Sequence, residues 1–219
     1  TMHHAKIVIA DDHPLYRAAL KQAVTKATTR VEIVEVSTMA ELQDAAQEHN
    51  DADLVLLDLT MPGASGFSGL VYLKGQVPEL PVVVVSGNED HAIIRRALEY
   101  GALGFIPKSV SLETMVEAVQ AALAGDAWIP DDVNLEGPVL DDKEAKIAAG
   151  IASLTPQQFR VLAMLMQGLL NKQIAYELDV SEATVKAHVT AILRKLKVHS
   201  RTQAVIAARS LDLETLAGS

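Results

Sequence analysis

The sequence predicts two units: an α/β domain built on a doubly wound, five-stranded parallel sheet, and after it a small all-α domain of four helices carrying a helix-turn-helix. Three observations predict this. Over the first 125 residues, short β-branched or aliphatic runs alternate with stretches of helical spacing, the pattern of a parallel sheet wrapped by helices. From Leu154 onward the strand pattern is gone and apolar residues recur at helical spacing only. Between them, residues 125–150 carry two prolines and three glycines, as a connecting segment does. The expected boundaries are 5–125 for the α/β domain, 126–152 for a linker with a short helix near 141–151, and 153–215 for the helical domain.

The elements follow in order. "KIVIA" (6–10), "VEIVEV" (31–36), "DLVLLD" (53–58), "PVVVV" (81–85) and "LGFI" (103–106) read as strands. Three of them are continuous apolar runs, as strands covered on both faces are. Helical patterns fall at 14–28, 38–49, 66–75, 90–100 and 111–124. Five such units suit the flavodoxin-like doubly wound order, in which ligands bind beyond the carboxyl ends of the strands. In the last part the apolar positions group as Phe159, Leu162, Ala163, Leu165 and Met166; Ile174, Ala175 and Leu178; Val185, Val189, Ile192, Leu193 and Leu196; and Ala204, Val205 and Ala208. These make four helices.

Composition narrows the function. Of 219 residues, 49% are apolar and none is cysteine, so no disulfide framework or thiolate metal cage is available. No signal peptide precedes the first strand pattern, and the apolar runs are too short for a membrane span. A cytoplasmic protein without membrane partners is expected. The net charge is −9, but it is unevenly spread: residues 1–130 hold nine basic and seventeen acidic side chains, residues 151–219 eight and five. A basic excess confined to the last domain points to nucleic acid as its partner.

The strand ends carry the chemistry. The first strand runs into Asp11–Asp12, the third ends in Asp58, the fourth is followed by Ser86, and the fifth leads to Lys108. In a parallel sheet these ends share one edge. Three carboxylates brought together repel, and a hard cation such as Mg²⁺ relieves that repulsion. Lys108 supplies a point charge for a phosphate, and a carboxylate so neutralised can act as a nucleophile toward phosphorus. Taken singly, each residue has a plainer reading: Asp11 as a turn or cap residue, Lys108 as a solvated lysine, Ser86 before Gly87 as turn chemistry, and His13 as a loop residue. A second catalytic acid two residues after Asp58 is missing, since Thr60 stands there. A phosphatase using an aspartate nucleophile is therefore disfavoured, and the chain is expected not to be an enzyme.

"VIADDHPLYR", "VLLDLTMPG", "VVVVSG" and "GALGFIPKS" together resemble the receiver domain of two-component response regulators, over residues 5–124. The resemblance implies Asp58 as phosphoacceptor. It also implies direct Mg²⁺ ligation by Asp12, ligation by Asp11 mainly through water, and a ligand from the Thr60 backbone carbonyl. By the same likeness Lys108 contacts the phosphoryl group and Ser86 and Phe105 form a switch pair. Ser109 follows Lys108 where many receivers have proline, which leaves the isomer of that peptide bond open.

Residues 171–197 read as helix, tight turn, helix. Asn171 is a plausible cap, Asp179 suits a left-handed turn, and Ser181 is a good N-cap with Glu182 favourable to the helix dipole. The second helix hides Val185, Val189, Ile192 and Leu196 and shows Thr184, Lys186, His188, Thr190, Arg194 and Lys195. That is equally the pattern of an ordinary amphipathic surface helix. "NKQIA", "SEATVKAHV" and "ILRKLKVHSRTQA" resemble the LuxR-type helix-turn-helix, over 154–206. This implies a response regulator of the LuxR/NarL/FixJ class, with Lys172 and Arg201 at DNA phosphates and Val185, Lys186 and His188 facing the groove. Gln157 and Gln158 depart from the family's usual Arg–Glu, Leu170 from a small polar residue and Asp179 from glycine. The expectation is a transcription regulator that takes its phosphoryl group from a sensor histidine kinase. Phosphorylation would promote homodimerisation on double-stranded promoter DNA, and the acidic first domain, held nearby, would hide the basic surface.

Overall fold

The computed structural model describes residues 4–64, 66–137 and 139–213. Residues 1–3, Pro138 within the expected linker, and residues 214 and 215 of the expected helical domain lie outside the described residues. Five strands, β1 (Ala5–Ala10), β2 (Val31–Val36), β3 (Leu54–Asp58), β4 (Val82–Ser86) and β5 (Gly104–Pro107), alternate with α1 (Pro14–Ala27), α2 (Met39–Glu48), α3 (Ser68–Gln76), α4 (His91–Glu99) and α5 (Leu112–Leu123). The strands pair in parallel in the order β2-β1-β3-β4-β5. The expected elements are present with ends moved by one or two residues, the scatter that fraying ends produce.

Burial explains which runs became which strand. β3 and β4 are buried at every position, because helices cover both faces of a central parallel strand. The edge strand β2 keeps Glu32 and Glu35 outside. Helices α1 and α5 cover one face through Leu20, Val24, Met115 and Val119. On the other face α2, α3 and α4 supply Leu42, Leu70 and Ile94.

After α5 come α6 (Asp142–Ala152), α7 (Pro156–Met166), α8 (Asn171–Leu178), α9 (Glu182–Leu196) and α10 (Arg201–Arg209). The α7 start carries a full capping box, Thr155 with Gln158. The turn between α8 and α9 uses Asp179 at φ 52°, and Ser181 caps α9 by accepting from the Thr184 amide at 3.1 Å. One correction concerns α8. Its N-cap is Leu170, not Asn171; the Asn171 side chain instead accepts from the Arg201 guanidinium.

The linker is not a loose tether. Ile147, Ala148, Gly150 and Ile151 of α6 are buried, and the helix is wedged between α3 on one side and α9 and α10 on the other. Gly75 of α3 permits this: a Cβ there would stand 2.1 Å from the Ala152 carbonyl oxygen. Tyr72 and Phe159 stack across the junction with ring centroids 4.3 Å apart, and Gln76 donates to the Leu154 carbonyl at 2.8 Å. Arg160 reaches Gln43 at 2.7 Å and Asp44 at 3.2 Å. One apolar cluster therefore runs from the sheet face under α3 into the core of the helical domain. Among the described residues no helix is long and apolar enough to cross a membrane.

Candidate functional site: the carboxyl edge of the sheet and the second helix of the helix-turn-helix

The chain moves from β2, beside β1 on one side, to β3 on the other. This is the switch point at which α/β sheets bind ligands. Asp11 leaves β1 there and Asp58 ends the adjacent β3. Both are buried, at 0% and 3% exposure, which for carboxylates demands partners. Lys108, delivered by β5, lies 2.9 Å from Asp11 Oδ2 and 3.2 Å from Asp58 Oδ2. Asp58 Oδ1 accepts from the Thr60 amide and hydroxyl at 3.2 and 3.1 Å. Asp11 Oδ1 accepts from the His13 amide at 2.8 Å.

Two oxygens stay without a hydrogen-bond donor, Asp11 Oδ2 and Asp12 Oδ1. Lys108 is close enough to Asp11 Oδ2 for an ion pair but lies off its hydrogen-bonding direction, and His13 stands in the same relation to Asp12 at 3.2 Å. Ligand atoms of Asp11, Asp12, His13 and Asp58 all fall within 4.8 Å of one another. Buried, unsatisfied carboxylate oxygens converging this closely fit a hard divalent cation. Ser86 sits on the same edge, buried, its hydroxyl accepting from the Asn88 amide at 3.1 Å. Phe105 is fully buried on the neighbouring strand. The Lys108–Ser109 peptide is trans, and no cis peptide occurs among the described residues. Thr60, Ser86, Lys108 and Asp58 line one open cavity of about 690 Å³.

Two participants escaped the sequence reading. His13 is not a bare loop residue: it holds the N-cap position of α1 without capping it, and its Nδ1 lies 3.0–3.4 Å from Asp11, Asp12 and Asp58. Its position directly after two acids was the available signal. Tyr16 lies under Lys108, whose ammonium is 4.6 Å from the ring centroid. Burial first, then the charges of Asp11 and Asp58, push the Tyr16 hydroxyl pKa well above its ordinary value, so it stays neutral beside the acids.

The helical domain gives a mixed result. Lys172, Thr184, Lys186 and Arg194 are exposed and His188 is half-buried. The first domain therefore does not cover the basic face, contrary to expectation. Val185 does not face outward either. It is 0% exposed, because it shares the α9 face of Val189, Ile192 and Leu196, which forms the domain core. Lys195 is engaged inside the protein with the Ser153 carbonyl at 3.0 Å and Gln158 at 2.6 Å. Arg201 donates to Asn171 and, at 2.8 Å, to the Leu169 carbonyl.

Comparison with known proteins agrees with both halves. Residues 7–120 match the response regulator receiver domain, and residues 152–208 match the bacterial regulatory proteins of the luxR family. The chain is 42% identical over 212 residues to the glycerol metabolism activator of Pseudomonas putida, spanning 94% of this chain and 96% of that one. It is 34% identical over 203 residues to the nitrate/nitrite response regulator protein NarL of Escherichia coli K12, spanning 92% and 94%. A solved structure of RcsB from Salmonella enterica serovar Typhimurium, bound to promoter P1flhDC in the presence of phosphomimetic BeF3-, is similar at TM-score 0.56 and 25% identity. It covers 95% of this chain and 100% of its own. A LuxR family DNA-binding response regulator from Silicibacter pomeroyi is 35% identical at TM-score 0.52, covering 58% of this chain and 98% of its own. Both domains, and the order in which they are joined, are those of the LuxR-family response regulators, and this chain belongs to that family of transcription regulators.

Proposed function

We propose that Asp58 is the phosphoacceptor and that its phosphorylation, from a sensor histidine kinase in the cytoplasm, sets the dimeric, DNA-binding state of the protein. The observation that supports this best is the meeting of Asp11, Asp12, Asp58 and Lys108 from three separate strand ends. Asp58 Oδ2 accepts from the Lys108 ammonium at 3.2 Å, while Oδ1 is held by Thr60, so the two oxygens have different partners and only one is tied to the charge that would receive a phosphoryl group. Asp11, Asp12 and Asp58, with the Thr60 carbonyl, would hold Mg²⁺. The ion, when bound, would supply charge neutralisation for incoming phosphoryl oxygens. Lys108 would hold a phosphoryl oxygen and stabilise the product charge, about −1.5 to −2 where the free carboxylate carries −1. Ser86 would turn its hydroxyl from the Asn88 amide to that group, and Phe105 would move into the space released. A differential interaction of a few kcal/mol suffices to invert a two-state population.

On the DNA side, Lys172, Thr184, Lys186, His188 and Arg194 are the residues we assign to the duplex. The exposed side of α9 would lie in the major groove. Lys195 and Arg201 we assign instead to holding the helical domain together, Lys195 tying α9 to the start of α7 and Arg201 tying α10 to the start of α8. Two copies about one DNA turn apart would supply the specificity that a single helix-turn-helix lacks. The solved RcsB relative, bound to promoter DNA with a phosphomimetic, supports this reading by analogy. The test is Asp58→Asn. Wild type treated with acyl phosphate and Mg²⁺ should gain promoter affinity and dimerise, and Asp58→Asn should do neither. Equal gain by the variant would defeat the assignment.

A further inference from the structure

His13 stands among the acids with a ring nitrogen that its neighbours do not match. Nδ1 lies 3.0 Å from Asp11 Oδ1, 3.2 Å from Asp12 Oδ1 and 3.4 Å from Asp58 Oδ2, and also 3.4 Å from the Lys108 ammonium. Neither tautomer suits all four. A hydrogen on Nδ1 serves the carboxylates but turns a donor toward the ammonium, which has no acceptor to offer. A lone pair on Nδ1 serves the ammonium but faces three carboxylate oxygens. The backbone nonetheless anchors the residue there. The His13 amide donates to Asp11 Oδ1 at 2.8 Å, and Pro14, opening α1, keeps the residue before it extended. The His13 side chain makes no capping bond to α1. Beside it Asp11, which is fully buried, and Asp12 each keep one oxygen without a hydrogen-bond donor.

We infer that His13 Nδ1 is itself a ligand of the divalent cation in the acid cluster, so that the site offers a nitrogen among its carboxylate oxygens and prefers a later first-row transition cation, with Co²⁺ as the probe, to Mg²⁺. The inference rests on the proposed reading of the cluster as a cation site. A dication resolves the conflict at Nδ1. The lone pair turns to the ion, and the hydrogen sits on Nε2, in a side chain that is 59% exposed and so within reach of water. The unmatched oxygens of Asp11 and Asp12 gain a partner in the same event. One donor atom from each of Asp11, Asp12, His13 and Asp58 lies within 4.8 Å of the others, so the imidazole belongs to the same donor set as the acids. Donor type then sets the preference. Mg²⁺ takes oxygen ligands and gives up water reluctantly, whereas imidazole suits the later first-row ions.

Calorimetric titration of the full chain with Co²⁺ and with Mg²⁺, at one fixed pH, tests this in wild type and in His13→Ala. The side chain removed is largely exposed and caps nothing, so the variant keeps the fold. His13→Ala should lose at least about tenfold in Co²⁺ affinity, since even the outer partners of a metal site are worth about 10–100-fold. Its Mg²⁺ affinity should hold or rise slightly, because the imidazole no longer shares the carboxylates. Asp12→Ala should weaken both ions, which places them in the cluster. The proton NMR spectrum of the Co²⁺ form should carry far-shifted imidazole resonances that His13→Ala lacks. Equal Co²⁺ affinity in wild type and His13→Ala, a change in both ions by the same factor, or shifted resonances that survive the substitution overturns the ligand. If both ions bind and only His13→Ala is without effect, the cluster remains a cation site and the nitrogen ligand alone is wrong. If wild type takes up neither ion, the cation site itself has failed, and this inference falls with it.

Discussion

Lys108→Met isolates the electrostatics of the acid cluster. Methionine keeps an apolar stem over Tyr16 and deletes the ammonium that lies 2.9 Å from Asp11 and 3.2 Å from Asp58. At an effective dielectric near 20, unit charges about 3 Å apart attract by roughly 5 kcal/mol. Desolvation of the lysine offsets part of that, and removing one partner of a buried ion pair costs about 3–5 kcal/mol in practice. For a chain of this length, a loss of about 4 kcal/mol lowers Tm by roughly 8–16 °C. The variant leaves Asp11 and Asp58 without their ammonium beside Asp12, so a divalent cation should bind it more tightly than wild type and recover stability by mass action. Calorimetry in EDTA and in saturating Mg²⁺ measures both quantities: a large deficit in EDTA, less than half of it in Mg²⁺. A Tm equal to wild type in EDTA, or a loss that Mg²⁺ leaves untouched, would refute the idea that Lys108 neutralises the cluster.

Three further outcomes are expected. Gly75→Ala drives a methyl into the Ala152 carbonyl; overpacking costs about 1–3 kcal/mol, and limited proteolysis should show α6 cut sooner while acetyl phosphate still labels the protein. Burial, then the charge of Glu144, pushes the Tyr100 hydroxyl up to about 12. The folded state therefore keeps this proton after the unfolded chain releases it near pH 10, and stability present below pH 10 is lost as pH rises toward 12; in denaturant titrations Tyr100→Phe should flatten that slope. Lys186→Ala should weaken promoter binding and, if the lysine meets a phosphate, reduce the slope of log affinity against log salt by about one; an unchanged slope and affinity would place Lys186 off the duplex.

The contrast between Val185 and Lys186 shows how far a sequence carries. Helical spacing alone assigns Val185 to the face of Val189, Ile192 and Leu196, and the structure buries it there; the family likeness had turned it toward DNA. Periodicity reports burial directly, whereas a carried-over role does not. β3 and β4 were legible for the same reason, since two-sided burial leaves an unbroken apolar run. His13 was not legible as part of the acid cluster. Its ring direction depends on Pro14 starting α1 and on Asp58 arriving from another strand, and neither fact is local.

By itself the sequence determined the elements, their order, the convergence of Asp11, Asp12, Asp58 and Lys108 on one edge, and the helix-turn-helix. Each of these follows from short-range pattern or from the rule that parallel strands end together. Tertiary structure alone decided that α6 is a wedge rather than a tether, that Lys195 and Arg201 donate within the protein, and that Leu213 reaches the cavity lined by Asp58 and Lys108. Those outcomes depend on close approach between surfaces far apart in the chain, at Gly66 against Leu211 and at Gly75 against Ala152. A glycine in sequence says only that such an approach is permitted, never what will fill it.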